Sequence, residues 1–254
     1  MAVEDGVWIM RGLDWNDPYR IRTWQELINW INEVGFLPLF ANEVEGFSAE
    51  EHVSPDFWWT GDPDEDPWEW REIIAASHQV AYGKFFDKRA GFISLKWLPY
   101  FANCRRGGYD FDARWEDGLA NRREKKIMDM LTGRDADGDM TFPTDRILST
   151  ELKKKAGFGK GGEKNYPGIV TALQMQTYLV ISDFTRRVNK RGEEYGMPVS
   201  IMLPPEAIWG YEAVTRAYTE SPTDSWQRIF GRVQDQFPDA ADDDIVKIIG
   251  CRPQ

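Results

Sequence analysis

Pro167-Gly168-Ile169-Val170-Thr171-Ala172-Leu173-Gln174-Met175-Gln176-Thr177-Tyr178-Leu179-Val180-Ile181-Ser182 changes its apolar period partway along. Ile169, Val170 and Leu173 form a helical stripe behind a proline suited to a first helical turn, whereas residues 178–182 read as a strand. Upstream, Ser149 serves as an N-cap for a helix over 150–156 that Gly157 closes. Downstream, residues 197–203 supply a second strand, reached through a tip containing Arg186, Arg187, Lys190, Arg191 and Gly192. Helix, helix, hairpin is the order of a winged helix, with a recognition helix and a basic wing.

The same order is expected earlier in the chain. Thr23 and Glu26 make a capping box, after which Trp24, Leu27, Ile28 and Ile31 keep helical spacing until Gly35. Pro67 opens a helix to about residue 76, and strands at 80–86 and 91–97 flank Asp87-Lys88-Arg89 as a hairpin. The fold class predicted is therefore α+β, predominantly helical, with tandem winged-helix units and β-hairpin wings. Residues 20–132 form an N-terminal winged-helix-like unit, 133–145 a polar linker, 146–204 a second winged-helix unit, and 205–254 closing helices at 206–218, 225–236 and 241–249.

The 254 residues, 42% hydrophobic and 29% charged, suffice for one large domain or two small ones. No apolar run approaches the roughly 18 residues of a membrane span, and residues 1–11 lack a basic start followed by an apolar stretch, so no membrane partner is expected. Cys104 and Cys251 fit no metal or redox spacing and read as free thiols of a reducing compartment, which points to the cytoplasm.

A net charge of -11 argues against nucleic acid until its distribution is considered. Residues 43–72 hold eleven carboxylates against Arg71 alone, while residues 146–191 hold ten basic residues against Glu151, Glu163 and Asp183. Local sign steers a ligand more than the total does. Lys153, Lys154, Lys160, Lys164, Arg186, Arg187, Lys190 and Arg191 are candidate phosphate contacts. Lys84, Lys88 and Arg89 join them on the first hairpin, where basic residues alternate with aromatic ones. The plainer reading is a solvated face on a protein-interaction module.

Gly157 to Gly162 lacks the Ser or Thr after Lys160, and the preceding strand, of a nucleotide loop, so it reads as a turn. Asp62, Asp64, Asp66 and Asp135, Asp137, Asp139 alternate as calcium loops do, yet lack the glycine and the closing glutamate; no metal or cofactor is expected. His52 and His78 read as structural.

The segment 57–71 packs four of the twelve tryptophans among carboxylates and two prolines. Trp58, Trp59, Trp68 and Trp70, with Arg71, could hold a base or cation, and Asp62 or Asp64 could position a water. The alternative is a tryptophan-stapled loop that covers core.

The strings Trp58-Trp59-Thr60-Gly61-Asp62-Pro63 and Gly83-Lys84-Phe85-Phe86-Asp87-Lys88-Arg89-Ala90-Gly91-Phe92-Ile93-Ser94, with residues 24–40 and 149–209, resemble bacterial proteins related to the AlkZ-type winged-helix DNA glycosylases. The resemblance spans about residues 20–250. It implies tandem winged helices that wrap damaged duplex DNA and hydrolyse an N-glycosidic bond. Those glycosylases use a Gln-x-Gln or Gln-x-Asp pair, and Gln174-Met175-Gln176 has that spelling. Their pair lies near the end of the first winged-helix unit, where this chain has Leu37-Pro38-Leu39-Phe40. Two functions follow as expectations: a DNA-binding, glycosylase-like protein, or a non-enzymatic module whose wing meets nucleic acid and whose acidic aromatic face recruits a protein.

Overall fold

The computed structural model describes residues 2–4, 7–189 and 191–253; it is 43% helical, with small antiparallel sheets. A hairpin of β1 (Ala2–Glu4) and β2 (Val7–Ile9) leads into a loop that lies along residues 50–57, where Leu13 and Ile21 N–H donate to the Val53 and His52 carbonyls. α1 (Trp24–Val34) begins at the expected N-cap: Thr23 Oγ1 accepts from Glu26 N–H (3.2 Å), whereas the Glu26 carboxylate, expected on the Thr23 N–H, accepts from Arg22 N–H one residue earlier (2.6 Å). It ends at Gly35, whose φ of 102° suits glycine and where a Cβ would collide with the Trp97 indole.

β3 (Phe36–Pro38), α2 (Pro67–Ser77), β4 (Val80–Phe86) and β5 (Arg89–Ser94) follow. The sheet order is β3-β5-β4, so the strand after α1 pairs with the last strand of the hairpin. Asp87 and Lys88, both at positive φ, make the two-residue turn that matches strand twist. The expected strand 91–97 stops at Ser94, because Leu95 to Trp97 turn into α3 (Leu98–Arg106). α4 (Phe111–Glu116) and α5 (Arg122–Met128) follow, the latter with a complete Asn121/Glu124 capping box.

Residues 133–145 are more than a polar linker: β6 (Gly133–Arg134) pairs with β7 (Met140–Thr141), and Arg134 forms an ion pair with Asp112 of α4. α6 (Ser149–Lys155) has Leu148 at its N-cap, so Ser149 is the first helical residue, and its carbonyl accepts from the Tyr166 hydroxyl (2.9 Å). α7 (Tyr166–Met175) precedes a hairpin much longer than expected, β8 (Val180–Val188) and β9 (Glu194–Leu203), with register shifts along it. Arg186 and Arg187 are thus strand residues and not part of the tip. Leu148 bridges Ile201 on β9. The closing helix expected over 206–218 breaks at Gly210 into α8 (Pro205–Trp209) and α9 (Tyr211–Thr215); α10 (Pro222–Gln236) and α11 (Asp242–Ile249) complete the chain.

Two cores result. The larger joins α1, α2, α3 and the three-stranded sheet to α10 and α11 through Leu27, Phe36, Trp70, Phe92, Phe101, Ile229 and Ile245. Each such buried side chain contributes roughly 1.5–3 kcal/mol. The smaller gathers Phe111, Ile127, Leu152, Val170, Leu173 and Leu179. Ile181 packs against both, and β8 lies on α2 and β4, which makes the base of the second hairpin the seam between the two halves. Among the described residues no helix is long and apolar enough to cross a membrane.

Candidate nucleic-acid interface

A cleft of about 870 Å³ opens between α6, the glycine loop and the outer part of the β8–β9 hairpin. Lys153 and Lys154 come from the last turn of α6, Lys160 from the loop, and Arg187 and Tyr195 from the two strands. Among the described residues no carboxylate lines it. The loop holds its shape because Phe158 is buried beneath it and because Glu163 is drawn to α5, accepting from Arg123 (3.0 Å) and Lys126 (2.8 Å). Those two cations hold the Glu163 carboxyl down to about 2. The one acidic residue of the loop is therefore held on α5, and the cleft lysines have no carboxylate partner among the described residues.

Arg186 and Arg187 diverge, as consecutive strand residues do. Arg187 enters the cleft, while Arg186 lies 3.6 Å from Glu69 on α2 and 3.7 Å from Glu194. Lys164 and Arg191 are exposed and do not line the cleft; Lys190 lies outside the described residues. Lys84, Lys88 and Arg89 are exposed on the first hairpin, away from the cleft lining. Tyr195, half exposed at 50%, and the buried Phe158 escaped the sequence reading; an aromatic in the strand opposite the arginines was the available signal.

Both glutamines of the pair hydrogen-bond to other elements of the fold. Gln174 is buried and its Oε1 accepts from Lys84 N–H (2.9 Å), which fastens α7 to β4. Gln176 caps α7 and donates from Nε2 to Glu124 Oε1 (3.1 Å), leaving its own buried Oε1 without a partner.

The tryptophan segment divides into an inner and an outer part. Trp70 is fully buried and Trp58 nearly so, both within the larger core, which leaves a ligand only the outer rings. Trp59 is 49% exposed at a φ of 61°, a strained position for a bulky residue, and its ring lies 6.5 Å from that of Trp68. The slot above Trp68 is filled from within. The Arg71 guanidinium lies 3.7 Å from the Trp68 ring centre and 4.7 Å from that of Phe184 on β8. Arg71 also donates to Glu72 (2.8 Å), whose carboxyl is raised by burial against the opposing pull of Arg71.

Asp62 and Asp64 are exposed, with Asp62 Oδ1 accepting from Asp64 N–H (2.9 Å) in a local turn. The residue that organises the loop is Asp66, which is fully buried. Its Oδ1 accepts from Trp68 N–H (2.8 Å) and Trp59 N–H (3.1 Å), and its Oδ2 from Gly61 N–H (2.9 Å). Asp66 before Pro67 was a legible N-cap signal. His52 and His78 bond the Gly46 and Ser182 carbonyls.

No curated protein and no solved structure matches the chain. A family model described as AlkZ related matches residues 21–250, from the start of the first helical unit to the end of α11. The chain belongs to the AlkZ-related family.

Proposed function

We propose that the protein binds duplex DNA with two winged-helix units, and that the carboxylate-free cleft between α6 and the second hairpin is the phosphate-contacting face. The cleft is the observation that carries the reading: Lys153, Lys154, Lys160 and Arg187 converge on one surface of an otherwise acidic molecule. The strand pairing supports the tandem arrangement. In the first unit β3 joins β5, the last strand, and in the second Leu148 joins β9, again the last strand. The family, which points towards DNA repair, supports DNA as the partner.

α7 would contribute shape and not sequence reading. Its inner face is buried, and Pro167, Gly168, Thr171 and Ala172, which remain outward, hold no side chain that pairs bidentately with a base. Binding is therefore expected to be salt-dependent and nearly indifferent to sequence. The test is fluorescence anisotropy with labelled duplexes over a range of salt. Changing Lys153, Lys154, Lys160 and Arg187 to Gln should flatten the slope of log K against log salt by about 0.9 for each phosphate that is no longer neutralised. Absence of salt-dependent binding to duplex or single strand at low ionic strength would end the proposal.

N-glycosidic hydrolysis of damaged bases is the reaction that the family suggests. A non-enzymatic module is the second reading, favoured by one observation: Gln174 spends its side-chain oxygen on Lys84. In that reading the exposed Trp59, with Asp62 and Asp64, receives a protein partner. Alkylated plasmid incubated with the protein and then treated with mild base separates the two, since nicks above a heat-killed control require hydrolysis.

A further inference from the structure

A second hollow, of about 710 Å³, lies where α3, α7 and α11 end. Arg105, Arg106 and Arg114 line it together with Gln176, and among the described residues no Asp or Glu does, in a chain of net charge -11. Arg106 is neutralised by Glu206. Arg105 and Arg114 have no carboxylate partner among the described residues. Arg105 gives its N–H groups to the carbonyls of Met175 (3.1 Å), Phe85 (2.6 Å) and Ile249 (3.3 Å), and stacks 4.7 Å from the Phe101 ring centre. These neutral acceptors satisfy hydrogen bonding but do not supply a counter-ion, and burial holds the guanidinium down to about 10. Arg114 Nε and Gln176 Oε1 are buried without partners, a donor and an acceptor of the kind that a native interior rarely leaves unmet. The remaining wall is apolar: Tyr109, Leu119, Met175, Pro222 and Ile249, with Leu119 left 51% exposed.

We propose that this hollow binds an organic phosphate monoester of about nucleoside-monophosphate size. The two uncompensated guanidiniums match the roughly -1.5 to -2 charge of such a phosphate. The apolar wall takes the organic body. The volume falls within the range of small-molecule sites. The hollow shares no lining residue with the DNA cleft, so the proposal stands apart from the DNA reading.

Calorimetry of the full chain with deoxyadenosine monophosphate and with deoxyadenosine tests it. Saturable binding of the monophosphate, with the uncharged nucleoside weaker by at least about tenfold, is expected. Arg114→Gln, on a half-buried side chain, should weaken the monophosphate by a similar factor, whereas Lys153→Gln with Lys160→Gln in the cleft should not. Cys251 gives a second readout, because it lines the hollow and is exposed, while Cys104 is buried with its thiol pushed up to about 11 and resists alkylation. Bound monophosphate should slow the alkylation of Cys251. Any one of four results would overturn the proposal: no saturable binding, equal binding of the nucleoside, a loss that follows the cleft variant, or a Cys251 rate indifferent to the monophosphate.

Discussion

Replacing Asp66 with Ala removes one buried carboxylate and three hydrogen bonds, to Trp68, Trp59 and Gly61 N–H. The Trp68 bond is the N-cap of α2, worth roughly 1 kcal/mol. The other two are charge-assisted, but both amides belong to exposed residues that water can reach after the substitution, so about 1 kcal/mol each is the better figure. Against this, Trp59 is released from its left-handed backbone, which returns on the order of 1 kcal/mol. The net expectation is a destabilisation of about 2 kcal/mol, or about 4–8 °C in melting temperature for a chain of this length. Asp66→Asn should fall between the two: Oδ1 keeps Trp59 and Trp68, while the new NH2 faces Gly61 N–H. Scanning calorimetry of the three proteins decides the matter. An Ala variant that melts within about 1 °C of the parent would show that the loop is not organised by this carboxylate.

Three further outcomes are expected. Glu206→Ala strands the Arg106 guanidinium, buried with Glu206 as its ion-pair partner, and should cost about 3–5 kcal/mol in urea unfolding. Gln174→Ala unfastens α7 from β4, leaves Lys84 N–H unmet and should cost about 1–3 kcal/mol, while the salt slope of DNA binding stays unchanged. Glu163 is held below its ordinary 4.5, to about 2, so its contribution is fully present above pH 4.5 and is lost as pH falls towards 2; Glu163→Gln should flatten the stability profile across that window.

Much of this was legible in the sequence because the relevant forces are local. The Thr23 N-cap and Pro67 and Pro167 at helix starts are short-range signals, and each falls where the structure has it, while the turn expected at Asp87-Lys88-Arg89 narrows to its first two residues. β3 was not legible, since Phe36-Leu37-Pro38 is too short to show a period and becomes a strand only by pairing with β5. α3 was not read from the sequence, which takes residues up to 97 as strand, although Pro99 and Gly107 mark its ends. The lysines of the cleft were visible as a charge run, but the diversion of Arg186 to Glu69 depends on a contact across more than a hundred residues. Arg71 shows the same limit. Its nearness to the tryptophans is plain from the sequence, yet Phe184, which closes the stack, lies on the other half of the chain.

That stack also sets how the second hairpin can bend. Arg71, gripped by Trp68 and Phe184, clamps β8 to α2 at its base, and Arg186 adds a tether to Glu69 just beyond. Past the register shift between Thr185 and Arg187 the strands are exposed and lean on little. The hairpin is therefore built as a cantilever, its root held between both cores and its described outer residues exposed.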